Sequence, residues 1–195
     1  YWTGSMFSGM PTFQITGQSK GGLQLSQVLL QPFRKMFTSN EELTLWFGMA
    51  TAYLLALAFG ISPWLAMLAG VAFGLSSVNI LYFGAGHRTK VRAIGYMPGV
   101  LAGVVISYRR NLWLGAVVSA YFLILHIAAN HLQMTYYLIY VVGAFALTEL
   151  INQIRQKNTY RAILPGILLL LAGGGAAIPN AANLISTQEY AEYTT

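Results

Sequence analysis

The sequence contains no cysteine and no aspartate, and its whole acidic complement is Glu41, Glu42, Glu149, Glu189 and Glu192. Without cysteine, disulfides, thiolate metal sites and cysteine nucleophiles are excluded, and the redox compartment cannot be read. With so few carboxylates, none paired at a spacing suited to acid and base work, no complete hydrolase or transferase centre is visible. Charge of either sign is scarce: 8% of the 195 residues are charged, against roughly 25% in an ordinary soluble domain. Basic, aromatic-interleaved stretches of the nucleic-acid type are missing too, so DNA and RNA are not expected partners.

What fills the chain instead is apolar, 56% of the residues. Eleven basic and five acidic residues cannot cover a water-soluble globule of this size, but they suffice where most of the surface faces lipid. Apolar stretches near the roughly 20 residues needed to cross a bilayer run over 43–61, 63–82, 93–108, 111–130, 134–154 and 162–178. The expected fold is therefore all-α, a polytopic transmembrane helical bundle of about six spans preceded by an extracytoplasmic loop with a short interfacial helix. Residues 1–42 form that loop, 43–178 the bundle and 179–195 the start of a following extracytoplasmic segment. Neither end carries a signal-peptide pattern, and the chain is expected to begin and end inside a longer protein.

Local signals mark the boundaries. Ser39 stands three residues before Glu42 at capping-box spacing, and Ser62 followed by Pro63 is a good helix start. Glu41 and Glu42 suit a first helical turn, and Glu149 an ion pair or a snorkelling position near Arg155. Pro98 and Pro165 are expected to kink their spans, and the glycines at 173–175 to allow close helix approach. In the stretch 22–37, Leu23, Leu25, Val28, Leu29 and Leu30 could form the buried side of an interfacial helix that breaks at Pro32.

Two basic turns, Tyr108-Arg109-Arg110 and RQKNTYR at 155–161, fall on one face when the spans alternate. The positive-inside rule makes that face cytoplasmic. The count does not decide the matter, because five basic residues lie on that face and six on the other. The outer cations then need a reason of their own to be there.

That reason is sought in two polar islands. The first, GAGHRTKVR at 84–92, holds His87, Arg88, Lys90 and Arg92 between apolar stretches. Guanidinium groups make paired, charge-assisted bonds to phosphoryl oxygens and lysine adds a point charge, so the cluster suits a phosphate; Gly84 and Gly86 would permit close backbone approach. Interfacial anchoring to ordinary headgroups is the competing account. The second island holds His126, Asn130, His131 and Gln133, neutral donors and acceptors suited to sugar hydroxyls. His126 and His131 are five apart with no carboxylate near, which disfavours a metal site.

The segments WTGSMFSGMPTFQI, SPWLAMLAGVAFGLSS, AGHRTKVRAIGYMPGVLAG, ANHLQMTYY and PNAANLISTQEY, in that order, resemble the bacterial membrane protein YfhO family. The resemblance spans nearly the whole chain. It implies an architecture similar to the GT-C membrane glycosyltransferases, located in the bacterial cytoplasmic membrane with the polar site facing outward. The implied donor is a polyprenyl-phosphate-linked sugar and the implied acceptor a cell-envelope glycan or teichoic-acid-like polymer, lipoteichoic acid glycosylation being a role of some members. His87, Arg88, Lys90 and Arg92 would meet the carrier phosphate, and His126, Asn130, His131 and Gln133 the sugar or acceptor. Such enzymes place an acidic catalytic residue in the first outside loop, and no residue here matches it. Either that residue lies upstream, or the chain binds or flips a lipid carrier without chemistry, or it is a structural subunit. No cofactor is identified, although a divalent metal is compatible with a full-length enzyme of this kind.

Overall fold

A computed structural model describes residues 25–181. The described residues form eight α-helices and a closing 3-10 turn: α1 (Leu25–Arg34), α2 (Asn40–Ala58), α3 (Pro63–Gly74), α4 (Ser77–Gly84), α5 (Arg88–Arg109), α6 (Leu112–Ala128), α7 (Leu132–Arg155), α8 (Thr159–Ala177) and Ile178–Asn180. The helical class expected from composition holds. Most of the expected loops at 1–42 and 179–195, including Leu23, lie outside the described residues.

Capping sets the starts. The Ser39 hydroxyl accepts from the Glu42 amide at 3.1 Å, while Glu42 Oε2 accepts from the Thr38 amide at 3.1 Å. The Ser39 cap is as the spacing expects, whereas Glu42 reaches one residue further back than a capping box does, to Thr38 instead of the Ser39 amide. Pro63 occupies the first turn of α3, where its missing N–H costs nothing. The apolar run expected at 63–82 is one stretch in composition but two helices in the fold, interrupted at Leu75–Ser76. Asn79, buried, donates from Nδ2 to the carbonyls of Phe73 and Gly74 at 2.9 and 3.3 Å, serving the acceptors that the interruption frees.

Helix α5 is the axis of the bundle. It packs along α2 on one side and α6 on the other, and also touches α4, α7 and α8. Its contact with α6 runs through small residues four apart: Gly99, Gly103 and Ser107 on α5, Gly115 and Ser119 on α6. A Cβ built on Gly103 would lie 2.7 Å from the Gly115 carbonyl oxygen and against the Ser119 amide. The backbones therefore meet directly, which gains dispersion contact where lipid supplies no hydrophobic drive. The expectation of close approach at 173–175 is corrected here. Nothing comes within 4 Å of a Cβ at Gly174 or Gly175, and at Gly173 the nearest neighbour is Leu123 at an ordinary 3.8 Å.

Pro98 lies inside α5 and leaves the Ile94 carbonyl without an amide partner. Side chains from both flanking helices bond the carbonyls on either side of it: Thr51 Oγ1 donates to Gly95 at 2.6 Å, and His126 Nδ1 faces Ala93 at 3.1 Å. The disturbed turn is thus a point of attachment for both flanking helices, through the carbonyls beside the freed one.

Helix α1 docks shallowly on α2 and α6, with Leu29, Leu30 and Phe33 against the cluster Leu43, Phe47, Tyr96 and Leu125. Two expectations for it are corrected. Val28 is exposed rather than on the packed side, and the helix continues through Pro32 to Arg34 instead of breaking. Pro32 stands in the last turn of this helix, where its missing N–H removes only the bond to the Val28 carbonyl.

Four stretches are long and apolar enough to cross a membrane: Pro63–Gly84, Arg88–Arg109, Leu132–Arg155 and Ile163–Asn180. Asn40–Ala58, with two glutamates in its first turn, and the 17-residue Leu112–Ala128 do not meet that measure. Large apolar side chains such as Trp64, Leu68, Ile139 and Leu170 point outward. Exposed apolar surface this continuous fits a bundle embedded in a membrane.

Candidate functional site

The two polar islands meet at one end of the bundle. The first island is helical earlier than its composition implies: α5 begins at Arg88, not at residue 93, and His87 is its N-cap residue. The cations therefore occupy the first turns of a helix, where the macrodipole is already positive. The second island is the turn between α6 and α7, and Ala93, Ala129 and Met134 pack together beneath it.

Arg88 is not free. Its Nε lies 3.0 Å from Oε1 of Glu41, which makes Glu41 a partner across two helices as well as a first-turn charge. Lys90 sits over the Tyr82 ring with Nζ 4.1 Å from the centroid, and the His87 ring meets the same tyrosine edge-on at 6.0 Å. Neither Lys90 nor Arg92 forms an ion pair among the described residues. Gly86 has φ +78°, and the amides of Gly86 and His87 return to the Phe83 and Tyr82 carbonyls at 3.0 and 2.8 Å. Its glycine is thus required by a helix-terminating turn. A Cβ at Gly84 or Gly86 would meet nothing within 4 Å, so the backbone at both glycines lies open.

In the second island the residues separate by role. His126 is wholly buried, with Nδ1 toward the Ala93 carbonyl and Nε2 3.1 Å from Thr135 Oγ1. A carbonyl accepts only, so Nδ1 carries a proton and, in the neutral ring, Nε2 accepts from the threonine hydroxyl. His126 therefore ties α5, α6 and α7 together beneath the site and presents no atom to its surface. Asn130 is exposed at φ +52°, the left-handed residue that ends α6, a conformation asparagine tolerates better than most. Gln133 is exposed and donates from Nε2 to the Tyr137 hydroxyl at 3.1 Å.

His131 lies near enough to Lys90 and His87 to feel their charge. Its Nδ1 is buried with no hydrogen-bond partner among the described residues. Burial pushes its pKa below the usual histidine value; its own backbone opposes that, and Lys90 and His87 add to the lowering. The fold thus favours the neutral ring. Stability from this group is complete above the unfolded value of about 6.5 and is lost as pH falls through that value toward the lower folded one. Thermal unfolding of the wild type should decline across that acidic window, and His131→Gln should remove part of the decline. An unchanged pH profile in the variant would contradict the assignment.

Residue types alone did not point to Thr135, Tyr82 or Glu41 as members of this end. Thr135 and His131 are four apart at the start of α7, a spacing that could have suggested a shared turn. No sequence signal joins Glu41 to Arg88 across 47 positions. Among the described residues no group of three histidine or carboxylate side chains gathers to hold a metal. Comparison of the chain with protein-family models, with curated proteins and with solved structures returns no match.

Proposed function

We propose that this chain is the carrier-binding element of a membrane glycosyltransferase that moves a sugar from a polyprenyl-phosphate carrier to a cell-envelope acceptor. The reading places six spans in the bacterial cytoplasmic membrane, with Asn40–Ala58 and Leu112–Ala128 crossing beside the four more apolar stretches, and the polar end outward. It is supported above all by the meeting of Lys90 and His87 with the unpartnered His131 at the end of an apolar bundle. A phosphate needs cations at the surface, and an isoprenoid tail needs apolar flanks beside them. Lys90, Arg92 and His87 would hold the phosphate, and Arg88 would join them by exchanging Glu41 for it. Asn130, His131 and Gln133 would face the sugar, positioned by His126 below.

The test is sugar transfer from a polyprenyl-phosphate donor in reconstituted membranes. Lys90→Ala with Arg92→Ala should weaken donor binding by about 10- to 100-fold per lost charge-assisted bond, and unchanged transfer would remove the phosphate role. A second reading, carrier binding or flipping without chemistry, is favoured by one observation. Both described carboxylates at this end are engaged, Glu41 by Arg88 and Glu42 by the Thr38 amide. It is distinguished by carrier binding or movement with no sugar appearing on any acceptor.

A further inference from the structure

At the opposite end of the bundle, the α5–α6 turn and the first turns of α8 line a half-open cavity of about 260 Å³. Tyr108, Arg110, Trp113, Tyr160, Arg161 and Pro165 line it. We propose that this cavity binds a phosphate headgroup carrying net negative charge, that of an anionic phospholipid whose acyl chain lies along the adjoining faces of α6 and α8.

Charge supports the headgroup. Arg109, Arg110, Arg155, Lys157 and Arg161 cluster around the two turns, and Glu149 is the one described carboxylate near them. Arg109 already holds it, so neither Arg110 nor Arg161 has an acidic partner among the described residues. Arg110 is fixed in place by donating Nη2–H to the Leu57 carbonyl at 2.7 Å, which leaves its other N–H groups available. Helices α6 and α8 both begin at this cavity, adding their positive ends to two guanidinium groups. A cavity of this size, open on one side, accommodates a compact headgroup.

The surroundings support a lipid. Trp113 and Tyr160 are 68% and 70% exposed beside the mouth, amphipathic rings at the level where headgroups sit. From Trp113 the exposed face of α6 continues through Val117, and from Tyr160 that of α8 continues through Ile163 and Ile167. The two helices pack side by side, so cation and apolar stripe form one amphipathic surface.

The experiment measures the thermal midpoint of the full chain in nonionic detergent with added phosphatidylglycerol, phosphatidylcholine or inorganic phosphate. Phosphatidylglycerol should raise it and phosphatidylcholine should not. Arg161→Gln should weaken the phosphatidylglycerol response by about tenfold in concentration, and Arg110→Gln with Arg161→Gln further. Arg161→Gln carries the test alone if the double variant fails to fold, since its side chain makes no hydrogen bond among the described residues. Arg155→Gln with Lys157→Gln removes two charges away from the lining and should keep the response. A response to inorganic phosphate that Arg161→Gln abolishes would support the same site with a free anion as its source. An equal response in Arg161→Gln and wild type, or an equal loss in the Arg155 and Lys157 variant, would overturn the proposal.

Discussion

Replacing Gly103 with alanine should destabilise the folded bundle by about 2–3 kcal/mol, and leucine there should prevent α5 and α6 from pairing at all. The new Cβ would meet backbone, the Gly115 carbonyl and the Ser119 amide, and backbone cannot rotate aside as a long side chain can. Relief requires the helices to separate, and separation also opens the bond from Ser119 Oγ to the Val100 carbonyl at 3.0 Å. The matched change at Gly174, where a Cβ meets nothing within 4 Å, should be neutral or stabilising by about 0.5–1 kcal/mol because alanine favours helix. Thermal unfolding in detergent, followed by far-ultraviolet circular dichroism, compares the two directly. Equal midpoints for the variants at 103 and 174 would refute the direct backbone contact.

Arg109→Met should cost about 3 kcal/mol, and Arg109→Met combined with Glu149→Leu should regain most of it. Glu149 is 5% exposed and accepts from Arg109 Nε and Nη2 at 2.8 and 2.5 Å. The guanidinium carbon lies 5.5 and 5.4 Å from the Phe59 and Phe145 ring centroids, so aromatic faces surround the pair. Removing the arginine leaves a carboxylate in that setting with no partner; removing both leaves an apolar contact that packing can fill. A double variant no more stable than the single one would show that the pair itself, not the stranded charge, holds α5 to α7.

The sequence placed Glu149 near Arg155 on its own helix, whereas its partner is Arg109, 40 residues away. That difference has a physical origin. Hydropathy and capping are local, so most of the helical stretches, Ser39 as a cap and the two polar islands could be read from residues within a few positions of one another, although the interruption at Leu75–Ser76 and the early start of α5 could not. A helix apolar on every side gives no indication of which face is buried, because lipid and protein interior accept the same side chains. The spacing of Gly95, Gly99, Gly103 and Ser107 at four-residue intervals was the available signal for the packed face of α5.

The sequence by itself determined that the described residues are helical and include stretches apolar enough to cross a membrane, and it determined where charge interrupts them, since those follow from transfer of residues out of water. Only the tertiary structure decided that Glu41 holds Arg88, that His126 is sealed beneath its island while His131 lies near Lys90 and His87, and that Arg110 and Arg161 share a cavity. Each of those depends on which helix lies beside which. Side-by-side packing is fixed by the fit of small residues and buried hydrogen bonds between segments far apart in the chain.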